Sequence, residues 1–421
     1  MRVLTCFCAL ICASLFAVAQ QRLATPHRPV SIVQVGSNVH ILCARTDLNF
    51  NEHMDYGDTS AAWLIVDATT RQVIRQTEFG WAVMTVQRFG NVPQLSAFDI
   101  GFNEWVFRFS TATQANVDIV YTGNYSSVSS SADGGTVWVA QRPNFTDPGT
   151  MVEVDVKSRT QFTFPTGVNP QAPLPYSTSA GNGLAAICEG TFGGGNGTLE
   201  LWTDLKGTRK RTVITVGDTP NHLLIHGGRA YVTLNGSHTV VVVDLATQKA
   251  VDTLFVGTSG YDGPRECAID TASDGSPTRL YVTTFSSDVR VFDLATGQRT
   301  ATLAVGAKPE GLAIVGRELW VTRTFVEGGY DATSGLVVFD LNALTSVREN
   351  SESIAPSAYL AIGGLLRLPF ELDKDATLTD VAGKTTLVSA VVSDVQTLDC
   401  RHLTSGVYAL CSGQHSVTVI R

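Results

Sequence analysis

The sequence predicts an all-β protein, a β-propeller of four-stranded antiparallel blades. Three observations carry that expectation. The stretch 217–257 holds four apolar runs of strand length, at 223–225, 230–234, 239–243 and 251–256, and Gly, Asn, Ser or Asp punctuates each gap. The third run of that unit, an apolar stretch usually closed by Asp, recurs along the chain with a period in the middle forties. The composition, with 38 glycines and only 16% charged residues, suits many short strands joined by tight turns.

Taken in order, the recurring run appears as Ala62 to Asp67, Trp105 to Ser110, Met151 to Asp155, Leu199 to Asp204, Val240 to Asp244, Val289 to Asp293 and Leu336 to Asp340. The residues at the Asp position stand at 67, 110, 155, 204, 244, 293 and 340, so the gaps are 43, 45, 49, 40, 49 and 47. Four strands per period of this length define propeller blades, which pack face to face and are unstable singly. The repeated Asp leads into turns such as Asp-Leu-Ala-Thr-Gly (293–297), where its carboxylate is expected to cap the turn backbone. Blades are expected at about 29–80, 81–126, 127–172, 173–217, 218–257, 258–306 and 307–353. An eighth is expected over 354–421, with a clasp strand from the N-terminal segment near 22–35 closing the ring. Eight blades are the preferred count and seven the alternative.

Gly-Arg-Ala-Tyr-Val-Thr-Leu-Asn (228–235), Arg-Leu-Tyr-Val-Thr-Thr (279–284) and Glu-Leu-Trp-Val-Thr-Arg (318–323) resemble the Tyr-Val-Thr-Asn motif of YVTN-type propellers, the YncE-like group. So do the Asp-Leu-Ala-Thr-Gly turns and the Val-Gly-x-x-Pro links between blades. The resemblance covers 217–344 and continues in phase from 29 to 216. It implies the propeller fold, a setting such as a surface layer, and no single activity, because that family spans binding proteins, surface proteins and some enzymes.

Arg2 followed by the apolar run 3–18 and Ala17-Val18-Ala19 reads as a signal peptide over 1–19, so the mature chain is expected to be exported to the periplasm, the cell surface or outside. No later stretch is apolar enough to predict a membrane span. The net charge of −8 argues against a nucleic-acid partner held by bulk electrostatics. Five cysteines remain after the signal segment. Cys400 and Cys411 are expected to face each other across a hairpin turning at Ser405-Gly406, within disulfide reach. Cys43, Cys188 and Cys267 read as buried strand residues.

In a propeller the loops between second and third strands crowd one mouth of the central channel. Those at 46–60, 142–150, 189–198 and 324–335 are long and carry polar, aromatic and glycine residues together. Arg45, Arg142 and Arg323 each fall where a second strand ends and are expected to converge on an anionic ligand. Glu189, His222, Glu266 and Tyr330 complete the expected mouth. The carboxylates there are alternatively partners of the arginines. Asp47, Asn49, Asn51 and Asp58 have the spacing of a calcium loop, but position six is Glu52 rather than Gly and no helix flanks it, so a solvated loop is the competing reading. No catalytic motif of known spacing occurs. The preferred function is therefore a non-enzymatic, monomeric propeller that binds a protein, glycan or small anionic ligand, without a cofactor unless calcium. The alternative is a lactonase-like propeller hydrolase drawing on Glu189, Glu266, Asp47 and His222.

Overall fold

The structure is a computed structural model that describes residues 20–48, 56–78, 126–260 and 262–346 continuously. It also describes the shorter pieces 82–83, 87–88, 94–96, 99–100, 105–110, 113–114, 116–123, 358–360, 365–367, 377–380, 385–387, 397–399, 407–412 and 415–420. The chain divides into two compact units, Met1–Leu344 and Thr345–Arg421.

The first unit is a β-propeller of seven four-stranded antiparallel sheets. Blades one to six run in sequence order, with innermost strands Pro29–Val35, Gln87–Arg88, Ser127–Ser130, Pro170–Thr178, Pro220–His226 and Pro264–Thr271. Blade seven takes Leu312–Val315, Glu318–Thr322 and Ser334–Asp340 from its own stretch and Gln20–His27 from the N-terminus as its outermost strand. The expected N-terminal clasp thus exists, but it completes the seventh blade. Arg28 has φ of 56°, a left-handed turn that ends the clasp and lets Pro29 begin the innermost strand of blade one.

Burial joins each blade to the next. Val106 and Tyr121 pack with Val137 and Val152, Ala140 and Met151 with Leu184 and Trp202, and Ile187 and Leu201 with Val232 and Val243. Val240 and Leu254 then meet Leu280 and Phe292, and Tyr281 and Val291 meet Leu319 and Phe339. Val315, Trp320 and Val338 finally pack against Val39, Ile41 and Leu64 of blade one. The Gln114 side chain ties blade two to blade one by donating to the Trp63 carbonyl at 3.0 Å. Seven described sheets thus pack in closed order, which matches the alternative count, and the described strands of 358–420 pair in sheets of their own.

Two sequence devices have clear physical roles. The repeated Asp caps its turn: Asp244 Oδ1 accepts the Thr247 amide at 2.7 Å and its hydroxyl at 2.8 Å, and Asp67 and Asp293 do the same with Thr70 and Thr296. The threonine of the Tyr-Val-Thr motif staples neighbours. Thr233 Oγ1 donates to the Arg265 carbonyl at 3.1 Å, and Thr283 Oγ1 to the Glu310 carbonyl at 3.1 Å. In blade seven the motif threonine, Thr322, accepts the Gly311 amide within its own blade, and Thr324, two residues on, makes the staple by donating to the Pro29 carbonyl at 2.6 Å. These threonines are fully buried, where an unpaired hydroxyl costs about 1–3 kcal/mol.

The second unit has a five-stranded sheet in the order Ala358–Leu360, His415–Ile420, Val407–Ser412, Thr377–Asp380, Thr385–Leu387, and a two-stranded sheet of Leu365–Arg367 with Thr397–Asp399. Its first strand runs parallel to its last, a pairing that no antiparallel blade contains. The hairpin expected to turn at Ser405-Gly406 is replaced by one between Val407–Ser412 and His415–Ile420, which puts Ser416 and Thr377 beside Cys411. The strand that leads to Cys400 pairs with Leu365–Arg367 instead. Cys400 itself lies outside the described residues.

Candidate functional site

The innermost strands of blades four to six open on proline, and the residue after each proline faces the mouth. Gln171, Asn221 and Arg265 occupy this place, and Glu310 follows Pro309 at the entry to blade seven. Each reaches a neighbouring blade or loop. Asn221 Nδ2 donates to the Pro264 and Arg265 carbonyls at 3.2 and 3.1 Å. Arg265 donates to Glu310 at two points, Nε to Oε2 at 3.1 Å and Nη2 to Oε1 at 3.2 Å. Gln171 Nε2 donates to Glu189 Oε1 at 2.5 Å.

The electrostatics extend this chain of contacts around the rim. Glu189 feels Arg142 and Arg265, while burial, the larger influence, raises its pKa. The Arg142 guanidinium lies 4.5 Å above the Phe145 ring. Arg28, at the opposite end, is held by burial below the usual guanidinium range, against the attraction of Glu310 and with the repulsion of Arg45. Its Nη1 donates to the Arg45 carbonyl at 3.0 Å. Arg142, Glu189, Arg265, Glu310, Arg28 and Arg45 therefore form a belt in which cations outnumber carboxylates, on a chain whose net charge is −8.

Glu266 and His222 lie just inside the belt on innermost strands. Glu266 is partly open toward the channel yet walled in by the ring. Burial first, and then the nearby Glu310 charge, raise its pKa to about 8, so it is mostly protonated at neutral pH. Burial also lowers His222 to about 4, leaving a neutral imidazole whose Nδ1 is 3.7 Å from Cys267 Sγ. Burial pushes the Cys267 thiol upward, so it is not a ready thiolate.

An aromatic cluster adjoins the belt at blades six and seven. Phe285, Phe325 and Tyr330 meet edge-to-face with centroids 5.8 to 6.1 Å apart. Arg265 lies 4.6 Å over Phe285 and Arg28 5.5 Å over Phe325. Lys308 Nζ stands 3.7 Å from the Tyr330 centroid and 5.8 Å from that of Phe285.

Of the expected site residues, Arg45, Arg142, Glu189, His222, Glu266 and Tyr330 fall on or beside this rim. Arg323 does not join the belt: its guanidinium donates to the Ser334 carbonyl at 3.0 Å and the Gly306 carbonyl at 3.3 Å, and Arg22 is a neighbouring charge. Its work is to hold the blade-seven loop. In the calcium-like loop, Asp58 Oδ1 accepts the Leu48 amide at 2.8 Å, closing the loop through its backbone. Asn49 and Asn51 lie outside the described residues, and Asp47 belongs to the described part of that loop. Among the described residues no three His, Cys, Asp or Glu side chains are placed to hold a metal ion. Sequence reasoning missed Arg28, Arg265 and Lys308. The signal for Arg265 was the position after the inner-strand proline, one residue before the position compared across blades.

No protein-family model matches the chain, and no curated protein matches it. Among solved structures it is similar to the Kuenenia stuttgartiensis hydrazine synthase, with a TM-score of 0.53 and 15% identity over 74% of this chain and 96% of that one. The likeness is one of fold, and it agrees with the β-propeller class that the sheets define.

Proposed function

We propose that the chain is an exported, non-enzymatic propeller of YVTN type that binds a small anionic ligand, or an anionic group on a glycan or protein, at the belt-lined mouth. The observation that carries this reading is the gathering of Arg28, Arg45, Arg142 and Arg265 around Glu189 and Glu310. With Glu266 mostly protonated, the four arginines named exceed the charged carboxylates Glu189 and Glu310. Two unit charges 4 Å apart near a protein surface attract by about 4 kcal/mol, enough to favour a carboxylate, phosphate or sulfate there. Arg265 uses two of its five donors on Glu310, so donors remain for a ligand. The YVTN assignment draws on the threonine staples and Asp turns, and export on the apolar leader 1–19.

A thermal-shift panel of carboxylates, phosphates and sulfated or neutral sugars tests the reading. Anions are expected to raise the melting temperature of the wild type and not of Arg265→Ala. Equal response to neutral and anionic compounds would remove its basis.

One observation favours a second reading, a hydrolase: Glu266 has the raised pKa of a general acid, and its charge is felt by Cys267, whose Sγ lies 3.7 Å from His222 Nδ1. Turnover of a lactone and ester panel, abolished by Glu266→Gln, is the outcome this reading expects.

A further inference from the structure

We infer that the ligand is an acidic glycan whose carboxylate sits on the Arg265 side of the mouth while a sugar ring stacks on Tyr330. The inference rests on the anion-binding reading above and names the ligand class. Tyr330 is 60% exposed, an uncommon state for a ring so firmly held. Lys308 seals one face at 3.7 Å from the centroid, and Phe285 and Phe325 pin its edges. The open face is an apolar platform braced by Lys308, Phe285 and Phe325, and preorganisation of this kind favours affinity.

Two more features match a sugar. Beside the platform a pocket of about 340 Å³ is lined by Phe285, Ser286, Ser287, Lys308, Glu327 and Gly328, which supplies hydroxyl, ammonium and carboxylate partners for ring hydroxyls. The platform also joins the cations directly: Phe285 touches Tyr330 on one side and lies under Arg265 on the other, and Phe325 likewise links Tyr330 to Arg28. A chain of uronate units has the two parts this arrangement separates, the carboxylate of one unit for the guanidinium and the apolar C–H face of a neighbouring unit for the ring.

The test is calorimetric titration of the full chain with trigalacturonate, its fully methyl-esterified form, and monomeric galacturonate. Trigalacturonate is expected to bind about tenfold more tightly than the monomer, and Tyr330→Ala to abolish that gain. Tyr330→Phe should retain it, which separates lost stacking from a disturbed loop. Equal binding of the esterified form, an intact gain in Tyr330→Ala, or tighter binding of an acidic Asp/Glu peptide would overturn the inference. If the monomer binds and the trimer adds nothing, the stacking claim alone fails. If neither binds while other anions do, the glycan class fails, and if no anion binds, the mouth reading fails with it.

Discussion

Arg265 of blade six and Glu310 at the entry to blade seven are joined by two parallel contacts of 3.1 and 3.2 Å across the blade boundary at the channel mouth. The carboxylate orients the guanidinium and partly neutralises it. Changing either partner should therefore move anion binding in opposite directions. Arg265→Ala is expected to weaken a carboxylate ligand by about tenfold or more, the scale of a lost charge-assisted contact. Glu310→Gln keeps the shape, removes a repelling charge, and should strengthen it. Titration calorimetry at constant ionic strength checks both signs. A loss in both variants would mean that the pair serves the fold and not the ligand.

Glu266 makes the mouth sensitive to pH. Its folded pKa, near 8, lies above its ordinary value, so the folded ring holds a proton that the unfolded chain releases. That contribution to stability is full below the ordinary carboxylate range and is lost as pH rises through about 8. Chemical denaturation between pH 5 and 9 should show stability falling with pH in the wild type and a flatter profile in Glu266→Gln. Ligand affinity should fall over the same interval, because an ionised Glu266 adds a second negative charge beside Glu310. A profile identical in the two proteins would refute the assignment of the slope to Glu266.

Gly311 marks where the ring shuts. A Cβ at this position would stand 2.7 Å from the Val30 carbonyl oxygen of blade one, closer than the backbone of a packed strand allows. Gly311→Ala is expected to cost about 1–3 kcal/mol, as overpacking does. Gly316→Ala is an unsuitable control, since φ there is 60°. Gly260→Ala, with open space around the added atom and no left-handed backbone, is the better one and should be nearly neutral. Equilibrium unfolding compares the two.

The threonine staples give a third stability test. Thr283 is fully buried and donates to the Glu310 carbonyl at 3.1 Å, with the Glu266 carbonyl also 3.2 Å away. Thr283→Val keeps the volume and leaves these carbonyls without the hydroxyl. A loss of about 1–3 kcal/mol is expected. Thr283→Ser, which keeps the donor, should recover part of it in the same unfolding measurement.

The ring was legible in the sequence because its repeat is enforced locally. Each blade needs a turn after its third strand and a staple to its neighbour, and Asp244 with Thr247 and Thr233 with the Arg265 carbonyl supply both within short spans of chain. The blade count was harder. It depends on which sheet receives the strand Gln20–His27, a long-range pairing with Ser334–Asp340 that no local pattern announces. The alternating apolar run 415–420 reads like a blade strand because every strand has the same period of two, and here it pairs in a five-stranded sheet. The rim was half legible for a related reason. Loop length pointed to Arg45, Arg142 and Tyr330, whereas Arg265 and Arg28 reach the mouth from strand ends and a left-handed turn. Arg323 has the right place in the chain, but carbonyls of its own and the preceding link engage its guanidinium.

Hydrogen exchange read by mass spectrometry, with and without a saturating anionic ligand, tests the central claim most directly. Ligand-induced protection is predicted in segments 28–30, 44–46, 142–150, 189–190, 264–267, 285–287, 308–311 and 324–335, which carry the belt and the platform, and in no others. Protection confined to the Asp-capped turns 67–71, 155–159 and 244–248, or to the unit 345–421, would contradict it.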